Sequence, residues 1–413
     1  MQAEEIFALG LGLTPPWKVM SQRLDTDHTP TKLHLEIGAD RGALYPCPEC
    51  GAACKAHDFK EFTWRHLNFF QHHCYLTARL PRINCPEHGI RRVEAPWARE
   101  GSRFTLLFEQ VVMSLVREMP VNAVARHVEV TDTRLWRIVH HYVAKAINAL
   151  NLKNLKAIGL DETASKRGHN YITVFIDLDR SDRPVIFATP GKGKECLTQF
   201  CAFIEAHEGC PENIVEVVCD MSPAFLSAVE QKFKSASVTV DWFHVVQLFT
   251  TDVDDVRKLE ATESKLTEHT RWAVLKGAET IRTQNQESAL LELVEQGFAT
   301  AKAYRVKELL RWVRRAESKQ AAKWRITHFL KHAAEYAADC PLLEPVRGAL
   351  ASFERHLPRI LHRWHSLHTN ARLEGFNGLF QAARARARGY RNVENFITMV
   401  YLIAAPIQVV VAS

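Results

Sequence analysis

The stretch "LKAIGLDETA", residues 155–164, has the pattern of an apolar β-strand that one carboxylate, Asp161, interrupts. Two more strand-like stretches follow, then a helical stretch and the strand "IVEVVCD", residues 214–220. Three consecutive strands can form an antiparallel meander, and a helix crossover can return the chain to a fourth strand that pairs in parallel with the first. The order of elements predicts a mixed α/β sheet in which Asp161 and the strand-ending Asp220 lie side by side.

A third carboxylate lies much further along the chain, in "NARLEGFNGL", residues 370–379. The spacing of Leu373, Phe376 and Phe380 is typical of an amphipathic helix. Glu374 lies beside the apolar face of that helix. We therefore expect this helix to pack across the sheet and to carry Glu374 towards the other two carboxylates.

Together, the three acidic residues predict a site for metal-dependent phosphoryl transfer. Side-by-side carboxylates about 4–5 Å apart repel each other unless a cation lies between them, and Mg²⁺ (or Mn²⁺) suits oxygen ligands. Three carboxylates can hold two such ions. Taken singly, Asp161 is explained as a turn residue, Asp220 as a helix cap and Glu374 as a solvated residue, so the prediction depends on their joint placement.

Two short motifs near the N-terminus predict a second metal site. "CPECG" supplies Cys47 and Cys50, and "CPEHG" supplies Cys85 and His88. Four ligands of the Cys₃His type match tetrahedral Zn²⁺, and a closed four-ligand site leaves no open position for chemistry. We expect a structural zinc ion that holds this region folded. Nearby residues of the same types are expected to be core thiols and a surface imidazole: Cys54, Cys74 and His57.

Residues 118–147, "EMPVNAVARHVEVTDTRLWRIVHHYVAKAI", predict a helix, a short turn and a second helix. Polar side chains lie on the outer face at the start of the second helix, where a recognition helix presents them to base edges in the major groove. These candidate DNA-contacting residues are Thr131, Thr133, Arg134 and Arg137. An ordinary helix pair is the alternative interpretation.

Four stretches of the chain resemble the DDE transposases of the bacterial insertion-sequence ISL3 family: "IGLDETA", "VCDMSPAF", "DWFHVVQ" and "NARLEGFNGL…RARGYRN". The resemblance extends over nearly the whole chain. It implies an RNase H-like catalytic core with Asp161, Asp220 and Glu374 as the acidic triad, and a zinc-binding N-terminal domain.

The spacing of the acidic residues predicts an insertion in this core. Asp220 follows Asp161 by 59 residues, but Glu374 follows Asp220 by 154, which is too long for a loop in a compact domain. We expect a mixed α+β multidomain chain with the following domains: a β-rich zinc-binding domain at 1–100, a helix-turn-helix domain at 101–150, a catalytic core at 156–250 and 361–413, and an all-α insertion domain at 251–360.

Several basic and aromatic residues are candidates for contact with DNA. Four arginines near Glu374 are expected to neutralise phosphates, with a solvated basic face as the alternative. They are Arg372, Arg384, Arg388 and Arg391, the last three at i, i+4 and i+7. For the insertion-domain residues Trp272, Trp312 and Trp324, a core position is the stronger expectation than stacking on an unpaired base. His244 can reach the acidic residues, or it can be a core or helix-capping histidine.

The composition is that of an ordinary globular chain, with 53 basic and 47 acidic residues and no apolar run long enough for a membrane span. The acidic N-terminus lacks the basic start of a signal peptide, so we expect a cytoplasmic protein associated with DNA. The expected activity is cleavage at the terminal inverted repeats and transfer of the 3′-OH to target DNA, by a dimer or larger assembly. The alternatives are a nuclease without strand transfer and a DNA-binding regulator with an inactive core.

Overall fold

The structure is a computed structural model that describes residues 3–264, 266, 268–280, 282–366 and 368–407. The chain divides into two units, one reaching from the N-terminus to Ala146 and the other running from Ile147 to Ile407. Within the described ranges, none of the helices is long and apolar enough to cross a membrane.

A six-stranded sheet forms most of the first unit. Its strand order is β1-β2-β5-β4-β3, with β6 also paired to the long strand β5, and all pairs are antiparallel except β2 with β5. The strands are β1 (Lys18–Asp25), β2 (Lys32–Gly38), β3 (Leu44–Pro46), β4 (Ala53–Arg65), β5 (His73–Cys85) and β6 (Gly89–Arg92).

Alternation along β5 builds the core of this sheet. Leu76, Ala78 and Leu80 are buried on one face, while the alternate residues Thr77 and Arg79 are more exposed. Three buried indoles pack on the same core: the ring of Trp97 meets those of Trp17 and Trp64 edge to face, with centroids 5.2 and 5.6 Å apart. Aromatic pairs in this geometry stabilise by more than their buried area alone.

Four helices complete the first unit: α1 (Ala3–Gly10), α2 (Leu106–Glu118), α3 (Val121–His127) and α4 (Asp132–Asn148), whose last two residues belong to the second unit. Thr105 caps α2 by accepting a hydrogen bond from the backbone N–H of Phe108. The carboxylate of Glu109 on α2 is fully buried and accepts hydrogen bonds from Tyr142 of α4, at 2.6 Å, and from Arg99, at 2.9 Å. These bonds fix α2 against α4.

The second unit contains a five-stranded mixed sheet with the order β11-β10-β7-β8-β9. Its strands are β7 (Ala157–Lys166), β8 (Asn170–Asp177), β9 (Val185–Pro190), β10 (Glu216–Cys219) and β11 (Ser237–Val240). The pairs β7–β8 and β8–β9 are antiparallel, whereas β10 is parallel to both β7 and β11. The predicted meander and the parallel return of the fourth strand are therefore both present.

Helices α5 (Lys194–Ala206) and α6 (Pro223–Lys232) make the crossovers between these strands. Their apolar faces bury against the sheet, as the stack of Phe200 on Phe175 illustrates, with ring centroids 4.2 Å apart. The crossovers return β10 and β11 to the sheet in parallel, so the carboxyl ends of β10 and β11 lie at the same edge.

A helical region follows β11. Its helices are α7 (Trp242–Glu263), α8 (Thr270–Leu275), α9 (Gln284–Glu295), α10 (Ala299–Arg314), α11 (Lys319–Ala337), α12 (Glu344–Arg355) and α13 (Leu357–His362). They enclose a core of their own, in which the rings of Phe249, Phe329 and Phe353 lie within 6.2 Å of one another. The chain then returns to the sheet through α14 (Ala371–Arg386) and α15 (Val393–Ala404).

Candidate functional site

The four predicted zinc ligands lie together in the first unit. Cys47 follows β3, Cys85 ends β5 and His88 precedes β6, and the ligand atoms of these residues and Cys50 all lie within 4.8 Å of one another. Cys85 Sγ is 3.6 Å from Cys50 Sγ and 3.7 Å from His88 Nδ1. Such separations match the edges, roughly 3.5–3.8 Å, of a tetrahedron of sulfur and nitrogen ligands around Zn²⁺.

The thiols of the cluster differ in their electrostatics. A backbone hydrogen bond from Ala52 opposes the shift, but burial and the neighbouring thiols of Cys85 and Cys47 raise the pKa of Cys50 to about 11. Hydrogen bonds from His88 and from backbone N–H groups lower the pKa of Cys85 to about 6, which favours the thiolate form that binds metal. Cys54 and Cys74 are buried outside the cluster and His57 is exposed, as expected for core thiols and a surface imidazole.

Helices α3 and α4 are the two helices of the expected helix–turn–helix. The apolar residues predicted to face inward on α4 are buried: Leu135, Ile138, Val139 and Tyr142. The four predicted DNA contacts are exposed at its N-terminal end: Thr131, Thr133, Arg134 and Arg137. The guanidinium of Arg134 lies over the ring of Phe104, 4.4 Å from its centroid, so this side chain is held against the unit.

Strand register brings two of the three predicted acidic residues level in the second unit. Val218 of β10 pairs with Gly159 of β7, so Asp220 and Asp161 each lie two residues beyond a paired position. Parallel neighbours lie about 4.8 Å apart, and residues at the same level face the same side of the sheet. Burial raises the pKa of Asp220, and the nearby charge of Asp161 adds to the effect.

The two carboxylates are oriented by short hydrogen bonds. Asp161 Oδ1 accepts from the backbone N–H of Glu162 at 2.8 Å, and its Oδ2 accepts from the side-chain amide of Asn377 on α14, also at 2.8 Å. Asp220 Oδ1 accepts from the backbone N–H of Ser222 at 2.9 Å. Each carboxylate thus keeps free lone pairs while one or both of its oxygens are fixed.

Helix α14 is docked on the sheet through amide side chains. The buried side chain of Asn370 donates to the carbonyl oxygens of Leu160 on β7, at 3.0 Å, and Val218 on β10, at 3.4 Å. Gln381, three turns later, donates to the side chain of Thr163 at 2.7 Å. The helix therefore runs along β7, which is why Glu374 faces the strand-end carboxylates.

Glu374 lies among charged neighbours. Burial, the adjacent carboxylate of Asp241 and, to a smaller extent, Asp161 together raise the pKa of Glu374 to about 7, while His244 opposes them. Among the residues that the structure describes, the Cys₃His cluster is the one group of at least three potential ligands whose ligand atoms all lie within 4.8 Å. The carboxylates of Asp161, Asp220 and Glu374 lie in one site, but their oxygen atoms do not all lie within 4.8 Å of one another.

His244 lies beside Asp161 in this acidic site. Its Nε2 lies 3.7 Å from Asp161 Oδ1. Burial opposes its protonation, but the hydrogen bond to Asp161 and the charges of Asp161, Asp220 and Asp241 outweigh burial and raise the pKa of His244. Of the two roles that the sequence left open for His244, the structure favours contact with the acidic residues.

Comparison with models of protein families identifies the family of the chain. Residues 158–400 match the model of the ISL3-type DDE transposase domain, described as "Transposase". The chain belongs to the ISL3 family of insertion-sequence transposases. Residues 93–143 match the helix-turn-helix domain of ISL3 transposases, and residues 44–88 match the zinc finger of the transposases of IS204, IS1001, IS1096 and IS1165. The predicted family is therefore confirmed.

Individual transposases are similar over most of the chain. The transposase of insertion sequence element IS1001 from Bordetella parapertussis is 26% identical over 369 residues, which cover 85% of this chain and 86% of that protein. The transposase of IS1557 from Mycobacterium tuberculosis is 29% identical over 316 residues, or 67% of this chain and 69% of that protein. Family membership implies an enzyme that cleaves and transfers DNA, with a helix-turn-helix that binds DNA and a zinc ribbon.

One acidic residue of this transposase was not predicted from the sequence. Cys219 pairs with Val240 of β11, so Asp241 lies level with Asp220 in a row of three carboxylates across adjacent strands. Asp241 is 5% exposed, and its Oδ2 has no hydrogen-bond partner among the described residues. Asp241, like Asp220, comes immediately after a short strand, and this position was the signal in the sequence. The signal could be used only once the register of the strands was known.

The predicted basic face after Glu374 needs correction. Helix α14 ends at Arg386, and the backbone of Arg388 is left-handed with φ 58°, so Arg388 and Arg391 lie beyond the helix. Both are exposed, as is Arg372. Arg384 is half-buried and donates to the carbonyl oxygen of Ala164 at 2.9 Å, which ties the helix to the end of β7.

The expectation that the three tryptophans of the helical region lie in its core is wrong. Trp272, Trp312 and Trp324 are 55%, 37% and 56% exposed. The core of this region is filled by aliphatic residues, phenylalanines, Tyr304 and a different tryptophan, Trp242, so helix spacing alone could not tell which aromatic residues face it.

Proposed function

We propose that this transposase cuts DNA at the ends of its insertion sequence and joins the freed 3′-OH to target DNA, using Asp161, Asp220 and Glu374 as its catalytic triad. In this proposal the mixed sheet is an RNase H-like core built from residues 156–250 and 361–413. Residues 251–360 are an all-α insertion within that core, and the domains at 1–100 and 101–150 bind zinc and DNA.

The observation that carries the proposal is the meeting of three segments far apart in sequence. Strand register aligns Asp161 with Asp220, and the amide contacts of α14 turn Glu374 towards them. The burial that raises the pKa values of Asp220 and Glu374 is the environment expected of carboxylates whose charge a bound cation compensates.

The donor set fits a hard divalent cation. It consists of carboxylate oxygens, and the buried Oδ2 of the neighbouring Asp241 has no hydrogen-bond partner among the described residues. Asp161, Asp220 and Glu374 would hold two Mg²⁺ or Mn²⁺ ions, which when bound supply charge stabilisation to the attacking and leaving oxygens of a phosphodiester.

The remaining residues of the site orient these groups. Asn377 holds one oxygen of Asp161 and leaves the other facing His244. Exposed arginines at 372, 388 and 391 are available to neutralise phosphates. Thr131, Thr133, Arg134 and Arg137 would contact the terminal inverted repeats. Because a transposition event joins two ends, we propose a dimer or larger assembly.

The test uses labelled DNA carrying the element's terminal sequence, incubated with the full chain and Mg²⁺. We expect nicks at the end and joined products, both lost in Asp220→Asn while DNA binding is retained. Asp182→Asn, an exposed loop residue of the same unit, is the matched control and should cleave normally. Binding without cleavage by the wild-type chain would instead favour a regulator, and cleavage indifferent to the end sequence without joined products would favour a nuclease.

A further inference from the structure

The loop that joins β9 to α5 lies at the same edge of the sheet as the acidic residues. Its sequence is "PGKGK", residues 190–194. The backbone N–H of Gly191 donates to the carbonyl oxygen of Tyr171 at 2.8 Å, and the carbonyl oxygen of Gly191 accepts from the hydroxyl of Thr173 at 3.0 Å. Tyr171 and Thr173 belong to β8 and pair with the part of β7 that directly follows Asp161. The loop is therefore fixed beside the acidic site.

The backbone of this loop presents Lys192 between two glycines. Gly191 and Gly193 have φ 96° and 94°, a left-handed conformation that other residues adopt only with strain. Gly193 is buried, and a Cβ at this position would lie 3.8 Å from the Cβ of Ala224, near the start of α6. Asp220 precedes Ala224 by four residues. The turn therefore places Lys192 against the segment that carries Asp220.

The side chain of Lys192 is exposed, and its charge is not neutralised. The ammonium lies 5.1 Å from the centroid of the Tyr171 ring and makes no ion pair with a carboxylate of the described residues. Acidic residues are nevertheless close: burial raises the pKa values of Asp220 and Glu162, and the charge of Lys192 opposes that rise at both. A lysine that lies near carboxylates without pairing to one keeps its charge available for a ligand.

A phosphodiester is the anion that suits this position. During phosphoryl transfer, negative charge is spread over the oxygens around phosphorus, and a fixed ammonium beside them stabilises that charge. In the hydrolytic step the water oxygen bonds to phosphorus and the bond to the 3′-oxygen breaks, while the water loses one proton and the 3′-oxygen gains one. The lysine keeps its own protons throughout, because it acts on phosphate as a point charge.

We propose that Lys192 binds a non-bridging oxygen of the phosphodiester held at Asp161, Asp220 and Glu374, and is thereby a catalytic residue of the transposase. This inference rests on the proposed function, because it takes these three acidic residues as the place of cleavage. It adds a cation on the side of Asp220, whereas His244 lies beside Asp161.

The first experiment measures binding of the full chain to two end-sequence duplexes, one native and one in which the phosphate at the cleavage point is an uncharged methylphosphonate. Ca²⁺ replaces Mg²⁺, since it also takes carboxylate oxygens as ligands. We expect Lys192→Ala to weaken binding to the native duplex by roughly 2- to 5-fold, the effect of losing one exposed ion pair. The same variant should bind the uncharged duplex as tightly as the wild-type chain does.

Lys194→Ala is the matched control, because Lys194 is an exposed lysine two residues further along, where α5 begins. It should bind both duplexes like the wild-type chain.

The second experiment measures the single-turnover rate of Mg²⁺-dependent end cleavage at saturating DNA. We expect Lys192→Ala to lower this rate by on the order of 100-fold, the effect of removing one group that stabilises developing charge. Lys192→Arg should recover part of the loss, since arginine keeps the charge but not the compact ammonium. Lys194→Ala should cleave at the wild-type rate.

Four results would overturn the inference. They are unchanged binding of Lys192→Ala to the native duplex, an equal loss on both duplexes, an equal loss in Lys194→Ala, and a cleavage rate of Lys192→Ala equal to that of the wild-type chain. An equal loss on both duplexes would assign Lys192 to a different phosphate. If the wild-type chain does not cleave at all, the proposed function fails, and the binding comparison still decides the role of Lys192.

Discussion

Replacing Gly159 with alanine should disrupt the candidate site without touching any acidic residue. A Cβ at position 159 would come closer than 3.0 Å to Oδ1 of Asn370, and would also meet Ile176 at 3.0 Å and Leu178 at 3.1 Å. Asn370 is 1% exposed, and its amide bridges the carbonyl oxygens of β7 and β10, so it has no room to retreat. We expect the new methyl group to expel it.

The size of the effect follows from these contacts. Two hydrogen bonds are worth about 0.5–1.5 kcal/mol each, and overpacking adds about 1–3 kcal/mol, so the free energy of unfolding should fall by about 2–6 kcal/mol. The backbone oxygen of Asn370 also accepts the N–H of Glu374 at 3.1 Å, so the start of α14 moves with it. A shift of about 1 Å in a catalytic group lowers the rate by on the order of 100-fold.

Urea denaturation and the rate of Mg²⁺-dependent end cleavage test the two effects separately. Gly378→Ala is the control, because a Cβ there meets nothing within 4 Å and an alanine in a helix stabilises by up to about 1 kcal/mol. Combining Gly159→Ala with Asn370→Ala removes the closest of these contacts, so the double variant should lose less stability than the two single losses added together. A Gly159→Ala protein with normal stability, or one that cleaves at the normal rate, would refute the role of Asn370.

Three further predictions concern the zinc cluster, the buried Glu109 and the pKa of Glu374. Cys50→Ser should lower the zinc content, measured by metal analysis, and the thermal midpoint of the first unit, measured by calorimetry, and a chelator should do the same. Cys210 is an exposed cysteine outside the cluster, so Cys210→Ser should change neither quantity. Glu109→Ala should reduce the free energy of unfolding by about 3–5 kcal/mol in urea, because it leaves Arg99 without its buried partner; a loss below 1 kcal/mol would contradict this. The pKa of Glu374, near 7 in the folded chain, lies above its ordinary 4.5, so its stabilising contribution is complete below pH 4.5 and is lost as the pH rises through 7. The free energy of unfolding without metal, compared with that of Glu374→Gln, should therefore decrease by on the order of 1 kcal/mol between pH 4.5 and 8, after allowance for solvent screening. Asp241→Asn should move this decrease to lower pH. A difference from Glu374→Gln that does not depend on pH would contradict both expectations.

The elements of the second unit were predictable because their signals are local. The strand "AIGLDETA" and the strand before Asp220 are bounded by turn residues, and the order of strands and helices limits the possible topology. The register of the strands could not be predicted in this way, because pairing depends on contacts between strands that are distant in the sequence. For the same reason the placement of Asp241 could not be predicted. The exposed tryptophans were misjudged because hydrophobicity predicts burial only on average.

The helical region can lie between two acidic residues without separating them because its two ends meet. It begins at Trp242, directly after β11, and its last helix is followed by Trp364, which packs on Trp242. An inserted segment whose ends touch costs the surrounding fold little, since the entropy of closing a loop grows only slowly with its length and the inserted helices have a core of their own. Asn370, six residues after Trp364, then anchors the chain to β7 and β10. The distance of 154 residues between Asp220 and Glu374 therefore has no consequence for their separation in space.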